Sequence, residues 1–253
     1  DGRPVTRISA FLVNGDNDDS PMPLMTNEGK AFIGTYVLGM GFTFDDAGFL
    51  KGISSSLAKM KELLASDERN SERIKPYLGG EEVNNHPRHL HQRHVIDFED
   101  FPLRRDTALK SWFEVSEEKH RELLQVGVVP EDYPAPVAAD WPSLLSLIET
   151  LVKPDRLKDN RENYKKFWWR FAERRRGLDV LVQTSQKLIA IARVSPGVYP
   201  TIVSSGPLFN EKVVLVDARD LAIFPALQSR IHEVWVRAFS SSLADTINYA
   251  PSD

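Results

Sequence analysis

The spacing of hydrophobic positions changes several times along the chain, and each change marks a change of element. Residues 5–13, VTRISAFLV, are β-branched and apolar and predict a strand, and NGDNDDSPMP after them predicts a turn or loop. Over 32–44, FIGTYVLGMGFTF, the residues Phe32, Tyr36, Leu38, Met40, Phe42 and Phe44 fall on one face of an extended chain, and Gly39 and Gly41 on the other. That alternation predicts one long strand, or two broken at glycine, with the glycines admitting another backbone or marking a bulge. The period then lengthens. Leu57, Met60 and Leu64 behind Ser54–Ser56 predict a capped helix, and a second short helix leads into Pro76.

YLGGEEVNNHPRHLHQRHVIDF reads as a turn followed by a strand ending at Val95–Phe98. Residues 101–140 are rich in charge and proline and predict an irregular or partly helical connection. Asp140 and Pro142 start a helix with Leu144, Leu147, Ile148 and Leu151 on one side, stopped before Pro154. The next helix is NYKKFWWRFAERRRG, residues 163–177, in which Tyr164, Phe167, Trp168 and Phe171 share one side and Lys166, Arg170 and Arg174 form an i, i+4 stripe. From 187 the period returns to two: KLIAIARV, YPTIVS and KVVLV, separated by SPGV and SGP, predict a three-strand meander. Asp220 caps a final helix carrying Phe224, Leu227, Ile231, Val234, Trp235 and Ala238 at helical spacing. Strands, helices, strands and a helix, in that order, predict an α+β domain rather than alternating parallel βαβ units. Its sheets are mixed or antiparallel, with residues 1–100 β-rich, 101–186 a helical insertion, and 187–253 the meander with a C-terminal helix.

A chain of 253 residues, 42% hydrophobic, builds a substantial core. The formal net charge is −4, so affinity for a polyanion has to come from uneven placement of charge. Lys153–Arg176 holds ten Lys or Arg against four Asp or Glu, about +6, which leaves about −10 on the rest. Such a run is ordinarily a solvated face; beside aromatic residues it also suits phosphate, which arginine grips with two hydrogen bonds at once. The chain has no cysteine, which excludes disulfides, thiolate nucleophiles and Cys-type zinc sites and points to a reducing compartment, the cytoplasm by default. No apolar run approaches a membrane span and no secretion signal opens the sequence. A start without Met and an end at YAPSD fit a piece cut from a longer polypeptide.

NNHPRHLHQRHV holds four of the six histidines. Read as a strand, it places His89, His91 and Arg93 on one side and Arg88, Gln92 and His94 on the other. With no carboxylate among them, a polar recognition strand fits better than a zinc or nickel site, since Asn, Gln, His and Arg hydrogen-bond base edges and phosphates. A solvated edge strand is the plainer alternative. Glu81 and Glu82 are adjacent and point apart, so one of them capping a turn or pairing with an arginine is favoured over paired catalytic carboxylates. Neither a GxSxG elbow nor a GxxxxGK(S/T) phosphate loop is present.

Six blocks carry a specific resemblance: GKAFIGTYVLGMGFTF, IKPYLGGEEVNNHPRHLHQRHVIDF, WPSLLSLIETLVKPDRLKDN, FWWRFAERR, LIAIARVS and LQSRIHEVWVRAFSSSLADTINYAPSD. In this order they resemble the C-terminal target recognition region of bacterial adenine-specific DNA methyltransferases of restriction-modification and phage-defence systems, the MmeI-like or Type IIL-like enzymes. The likeness runs from about residue 27 to the end and is weakest over 101–138. It implies a parent enzyme that flips an adenine out of the duplex and methylates it with S-adenosylmethionine, while this region reads the surrounding sequence of double-stranded DNA. The Asp/Asn-Pro-Pro-Tyr/Phe motif that holds the adenine and the glycine-rich cofactor motif are both absent, so the resemblance implies no catalytic residue, no cofactor and no metal here. It implies instead a methyltransferase domain of the same parent chain as partner. The turn after LIAIARVS is implied as a reading loop, with Arg193, Ser195, Val198 and Tyr199. Direct readout would draw on Arg193 for guanine, Asn85 or Gln92 for adenine, and Arg88 or Arg93 for a base edge or the backbone. Lys165, Lys166, Arg170, Arg174, Arg175 and Arg176 would position the backbone. The competing expectation is a scaffold module whose basic aromatic helix docks an acidic partner subunit; a metal-dependent hydrolase on the histidine segment is a third.

Overall fold

The computed structural model describes Pro4, residues 29–243 and residues 245–251; the strand expected over 5–13 and the loop after it lie outside these. In chain order, β1 (Ala31–Ile33), β2 (Thr43–Phe44), α1 (Asp46–Leu50), α2 (Leu57–Ser66), β3 (Ile74–Leu78), α3 (Gly80–Asn85) and β4 (Arg93–Ile96) come first. Next are β5 (Arg104–Asp106), α4 (Glu117–Val126), β6 (Val128–Pro130), α5 (Pro142–Leu151), α6 (Lys153–Arg156), α7 (Glu162–Lys166) and α8 (Arg176–Thr184). The rest comprises β7 (Lys187–Ala192), β8 (Val194–Ser195), β9 (Thr201–Ser204), β10 (Leu208–Phe209), β11 (Val213–Asp217), α9 (Ile223–Leu227), α10 (Arg230–Phe239), β12 (Ser241–Leu243) and β13 (Thr246–Asn248). The fold is α+β.

The central sheet has the order β1-β11-β7-β9, antiparallel throughout. Its middle strand follows from composition: in β7 every residue from Leu188 to Ala192 is buried, as an unbroken apolar run buried on both faces requires. Leu188, Ala190 and Ala192 face Leu178 and Leu181 of α8 and Val83 of α3. Ile189 and Ile191 face Val236 of α10, Ile247 of β13 and Tyr249. All three expected strands form, but not as a meander: β7 lies between β9 and β11, so the chain crosses to the far side of β7 after β9.

A second sheet, β10-β3-β4-β2, is mixed, with β10 parallel to β3 and the other pairs antiparallel. Pro76 sits inside β3 opposite His94, one residue before β10 begins its pairing at Tyr77. Against this sheet pack Leu144 and Ile148 of α5 with Trp141, Trp168, Trp169 and Phe171. Residues 138–171 therefore share one core with residues 37–98. A small parallel pair, β5 with β6, is bridged by α4 over Leu123, Val129 and Val137. The segment read as an irregular connection thus contains a compact βαβ unit.

The expected strand over 32–44 is two strands in different sheets. After β1 the chain bridges Asn210 and Glu173, then turns at Leu38 (φ 50) and Gly39 (φ 132) into a 3-10 turn at Met40–Phe42. The break undoes the assumed alternation: Val37, from the opposite face, is buried together with Phe42 and Phe44. The glycine reading holds at Gly41, where a Cβ would stand 2.8 Å from the Leu151 carbonyl carbon and oxygen. α2 and α5 form where expected, capped by the Ser56 hydroxyl and opened by Pro142 at the first turn. The short helix before Pro76 is a 3-10 turn, Glu68–Glu72. The final helix is two, α9 and α10, the second capped by Ser229 rather than Asp220.

Candidate nucleic-acid interface

GGEEVNN is the first turn and body of α3, not the lead into a strand. Gly79 is extended at the N-cap, and its N–H donates to Glu82 Oε2 at 3.0 Å. Both Glu82 oxygens also receive Arg93, from Nε and Nη2 at 2.6 Å each. Burial pushes the Glu82 carboxyl up, but the Arg93 hydrogen bonds and charge outweigh it and hold the group below its ordinary range. Arg93 also lies over the Tyr77 ring at 5.3 Å, and burial pushes the Tyr77 phenol far above its usual value. The expected Glu–Arg pair is therefore a buried clamp between α3 and β4.

Between them, residues 86–92 form an irregular loop, so the two-sided histidine strand begins only at Arg93. His86 Nδ1 accepts from the backbone N–H of Arg88 and Leu90, both at 3.2 Å, and His89 turns at φ 51 with its Nδ1 2.8 Å from the Val83 carbonyl oxygen. The loop closes over a cavity of about 300 Å³ lined by Asp45, Glu81, Asn85, His86, Gln92 and Arg93. Asn85 and Gln92 are exposed on it, and Arg88 is exposed on the loop itself. Three of the base-reading candidates thus share one concavity. Among the described residues no three His, Asp or Glu side chains converge as a metal site needs.

The turn after β7 is more constrained than expected. Arg193 donates from Nη1 to the Glu211 carbonyl at 3.1 Å and from Nε to that of Tyr249 at 3.4 Å, tying two chain segments together. Ser195 is buried and its hydroxyl accepts from Asn84 Nδ2 at 3.3 Å. Val198 packs against the core beneath α10, whereas Tyr199 is 57% exposed.

The basic segment departs most from expectation. α7 ends at Lys166, and residues 167–175 are turns and extended chain, so the helical stripe Lys166, Arg170, Arg174 does not exist. The aromatic residues do form core, as their pattern indicates, and so does Trp169, which the helical projection placed outside the apolar arc: it is 2% exposed and donates from Nε1 to the Phe101 carbonyl at 3.0 Å. Arg170 donates to the same oxygen from Nε at 2.9 Å and Nη2 at 2.7 Å, and lies 4.5 Å from the Phe167 ring centroid. Arg174 is held by Asp97 at 2.7 Å; burial pushes that carboxyl up against the pull of the arginine. Lys165 pairs with Glu162 and Arg175 with Glu173, Lys166 stands over the Phe167 ring, and Arg176 is exposed with Asp100 at 3.9 Å.

Sequence reasoning passed over Arg156, which is only 3% exposed and lies over the Phe42 and Tyr164 rings. Arg156, Arg170 and Arg174 line a second cavity, of about 210 Å³, with Asp100 and Asn163 at its edge. The first cavity meets β4 at Arg93, and Arg174 of the second cavity pairs with Asp97, the residue that follows β4. α10 holds a further surprise: Ile231, Val234 and Trp235, which its spacing marks as core, are 82%, 54% and 44% exposed, and Val236 is its buried residue.

No family model and no curated protein sequence matches the chain. Among solved structures the fold is similar to part of the Type IIL restriction-modification enzyme MmeI in its complex with DNA, at 14% identity and a TM-score of 0.55. The likeness covers 98% of this chain and 27% of that enzyme's. No helix of the described residues is long and apolar enough to cross a membrane.

Proposed function

We propose that the chain is a sequence-specific recognition module for double-stranded DNA, belonging to an adenine-specific DNA methyltransferase of a restriction-modification or phage-defence system. The observation that carries this reading is the agreement of fold over 98% of the chain with a DNA-bound restriction-modification enzyme. Fold alone does not assign function, so the site has to support it. It does so through the cavity between α3 and β4, where the exposed amides of Asn85 and Gln92 are suited to adenine and Arg88 is free to reach a base edge or phosphate. Arg93 holds the frame of that cavity through Glu82. On the turn after β7, the exposure of Tyr199 supports it as the candidate for contact with DNA, while Arg193 and Ser195 shape the loop.

For the backbone, Lys166 and Arg176 are the outward-facing cations, with Lys165 and Arg175 in exposed ion pairs that phosphate can displace at small cost. Arg170 and Arg174 work from inside the fold. In this reading the methyl donor S-adenosylmethionine and the chemistry it supplies belong to the methyltransferase domain of the parent, since this sequence holds neither motif for them. The competing scaffold reading relied on a continuous basic aromatic helix that the chain does not form.

The test is duplex binding by fluorescence anisotropy at several salt concentrations. Binding that weakens steeply with salt is expected, and Lys166→Ala with Arg176→Ala should lower the logarithmic salt slope by about two. No binding at low salt, or an unchanged slope, would contradict the reading.

A further inference from the structure

Arg156 raises a physical problem that its neighbours do not solve. Its Nη2 donates to the carbonyls of Val37 at 2.8 Å and Arg170 at 3.1 Å, while Nε and Nη1 are buried without a partner. Arg170 spends Nε and Nη2 on one carbonyl. Among the described residues neither guanidinium has a carboxylate within 4.0 Å, whereas Arg174 beside them has Asp97 and Asp179. Burial pushes both Arg156 and Arg170 below the usual guanidinium range. A guanidinium nevertheless keeps its proton in proteins, so a buried and a half-buried positive charge line one cavity with no carboxylate in direct contact, Asp159 and Asp100 acting on them only from farther off. The cavity they line is about 210 Å³, smaller than the roughly 300–1,000 Å³ of pockets for drug-sized ligands.

We propose that this cavity between α6, the turn after α7 and Asp100 is a binding site for a single phosphoryl oxyanion, gripped by Arg156 and Arg170. Phe42 and Tyr164 flank the Arg156 guanidinium and Phe167 that of Arg170, fixing the direction each plane faces; Arg156 has Nε and Nη1 to offer, while Arg170, with Nε and Nη2 on the Phe101 carbonyl, contributes mainly its charge. Asn163 offers an exposed amide at the rim, and Asp100 is the acidic group there, 3.9 Å from Arg176 and acting by its charge on Arg170 and Arg174 as well. The site stands independently of the DNA reading. That reading decides only whether the phosphoryl group arrives within a DNA strand or on a free phosphate compound.

The experiment titrates the full chain with inorganic phosphate by calorimetry, and follows thermal unfolding in phosphate against chloride at matched ionic strength. Saturable phosphate binding and an added rise in Tm are expected. Arg156→Met should weaken phosphate by about tenfold or more. Because a buried arginine can be needed for folding, two rim variants keep the test sharp: Asp100→Asn should tighten phosphate about two- to fivefold, and Asn163→Asp should weaken it by a similar factor. Equal effects of phosphate and chloride, or rim variants that leave phosphate affinity unchanged, would overturn the proposal. A third arm separates the sources. If saturating phosphate displaces duplex DNA more than matched chloride does, the occupant is a backbone phosphate; if phosphate binds and DNA binding is unaffected or absent, the occupant is a free phosphate compound and the site remains.

Discussion

Glu82 joins three levels of the structure through two oxygens: it caps α3, pairs with Arg93 on β4, and so sets the wall that presents Asn85 and Gln92. Removing one partner of a buried pair strands the other charge. Glu82→Gln should therefore cost about 3 kcal/mol in urea unfolding. The pH dependence follows in sign. A carboxyl held below its ordinary value of 4.5 contributes stability that is complete above that pH and is lost as pH falls toward the folded-state value. Wild type should lose this increment below about pH 4.5, and Glu82→Gln should lack it; parallel profiles for the two proteins would contradict the clamp. This pair was legible in the sequence because a glycine turn followed by two glutamates leaves few roles for a carboxylate. Arg156 was not, since nothing in a run of basic residues says which one the aromatic residues around it will cover.

Elements were legible where a local signal and a tertiary role agreed. Ser56 and Pro142 start α2 and α5, and the apolar sides of both helices are buried. Signals failed where the same spacing served two structures. Tyr164, Phe167, Trp168 and Phe171 fit a helical arc, yet the chain leaves the helix at Lys166 and buries Trp169 as well, because consecutive aromatic residues in a turn can all be swallowed by one core. In α10 the stripe Ile231, Val234, Trp235 is strongly periodic and faces outward. Two variants check this. Ile231→Ser with Val234→Ser should change stability by no more than about 0.5 kcal/mol, whereas Leu144→Ala in α5 should cost about 2–5 kcal/mol. At Gly41 an added methyl meets the backbone of Leu151, so Gly41→Ala should cost about 1–3 kcal/mol by thermal or urea unfolding.

At the scale of the whole molecule, strand order and charge placement were the least legible. The apolar run of β7 marks it as a central strand, but which strands flank it depends on a crossover that no local pattern records. The charge asymmetry of about +6 over 153–176 is real in sequence, yet the fold turns three arginines inward and offsets others with nearby acids. Of the candidate side chains, those that reach solvent are a smaller set: Asn85 and Gln92 on one cavity, Arg88 on the adjoining loop, Tyr199 on its turn, and Lys166, Arg175 and Arg176. On the proposed reading, DNA recognition would depend on a few placed side chains more than on total charge, and removing the two amides should abolish sequence preference while leaving salt-dependent binding.

The most direct test is selection from a pool of duplexes with a randomised centre, followed by sequencing of the bound fraction. The account predicts one enriched motif for the wild-type chain, and loss of that motif, with binding retained, for Asn85→Ala with Gln92→Ala. Bound duplexes without any enriched motif, or a motif unchanged by the double substitution, would contradict it.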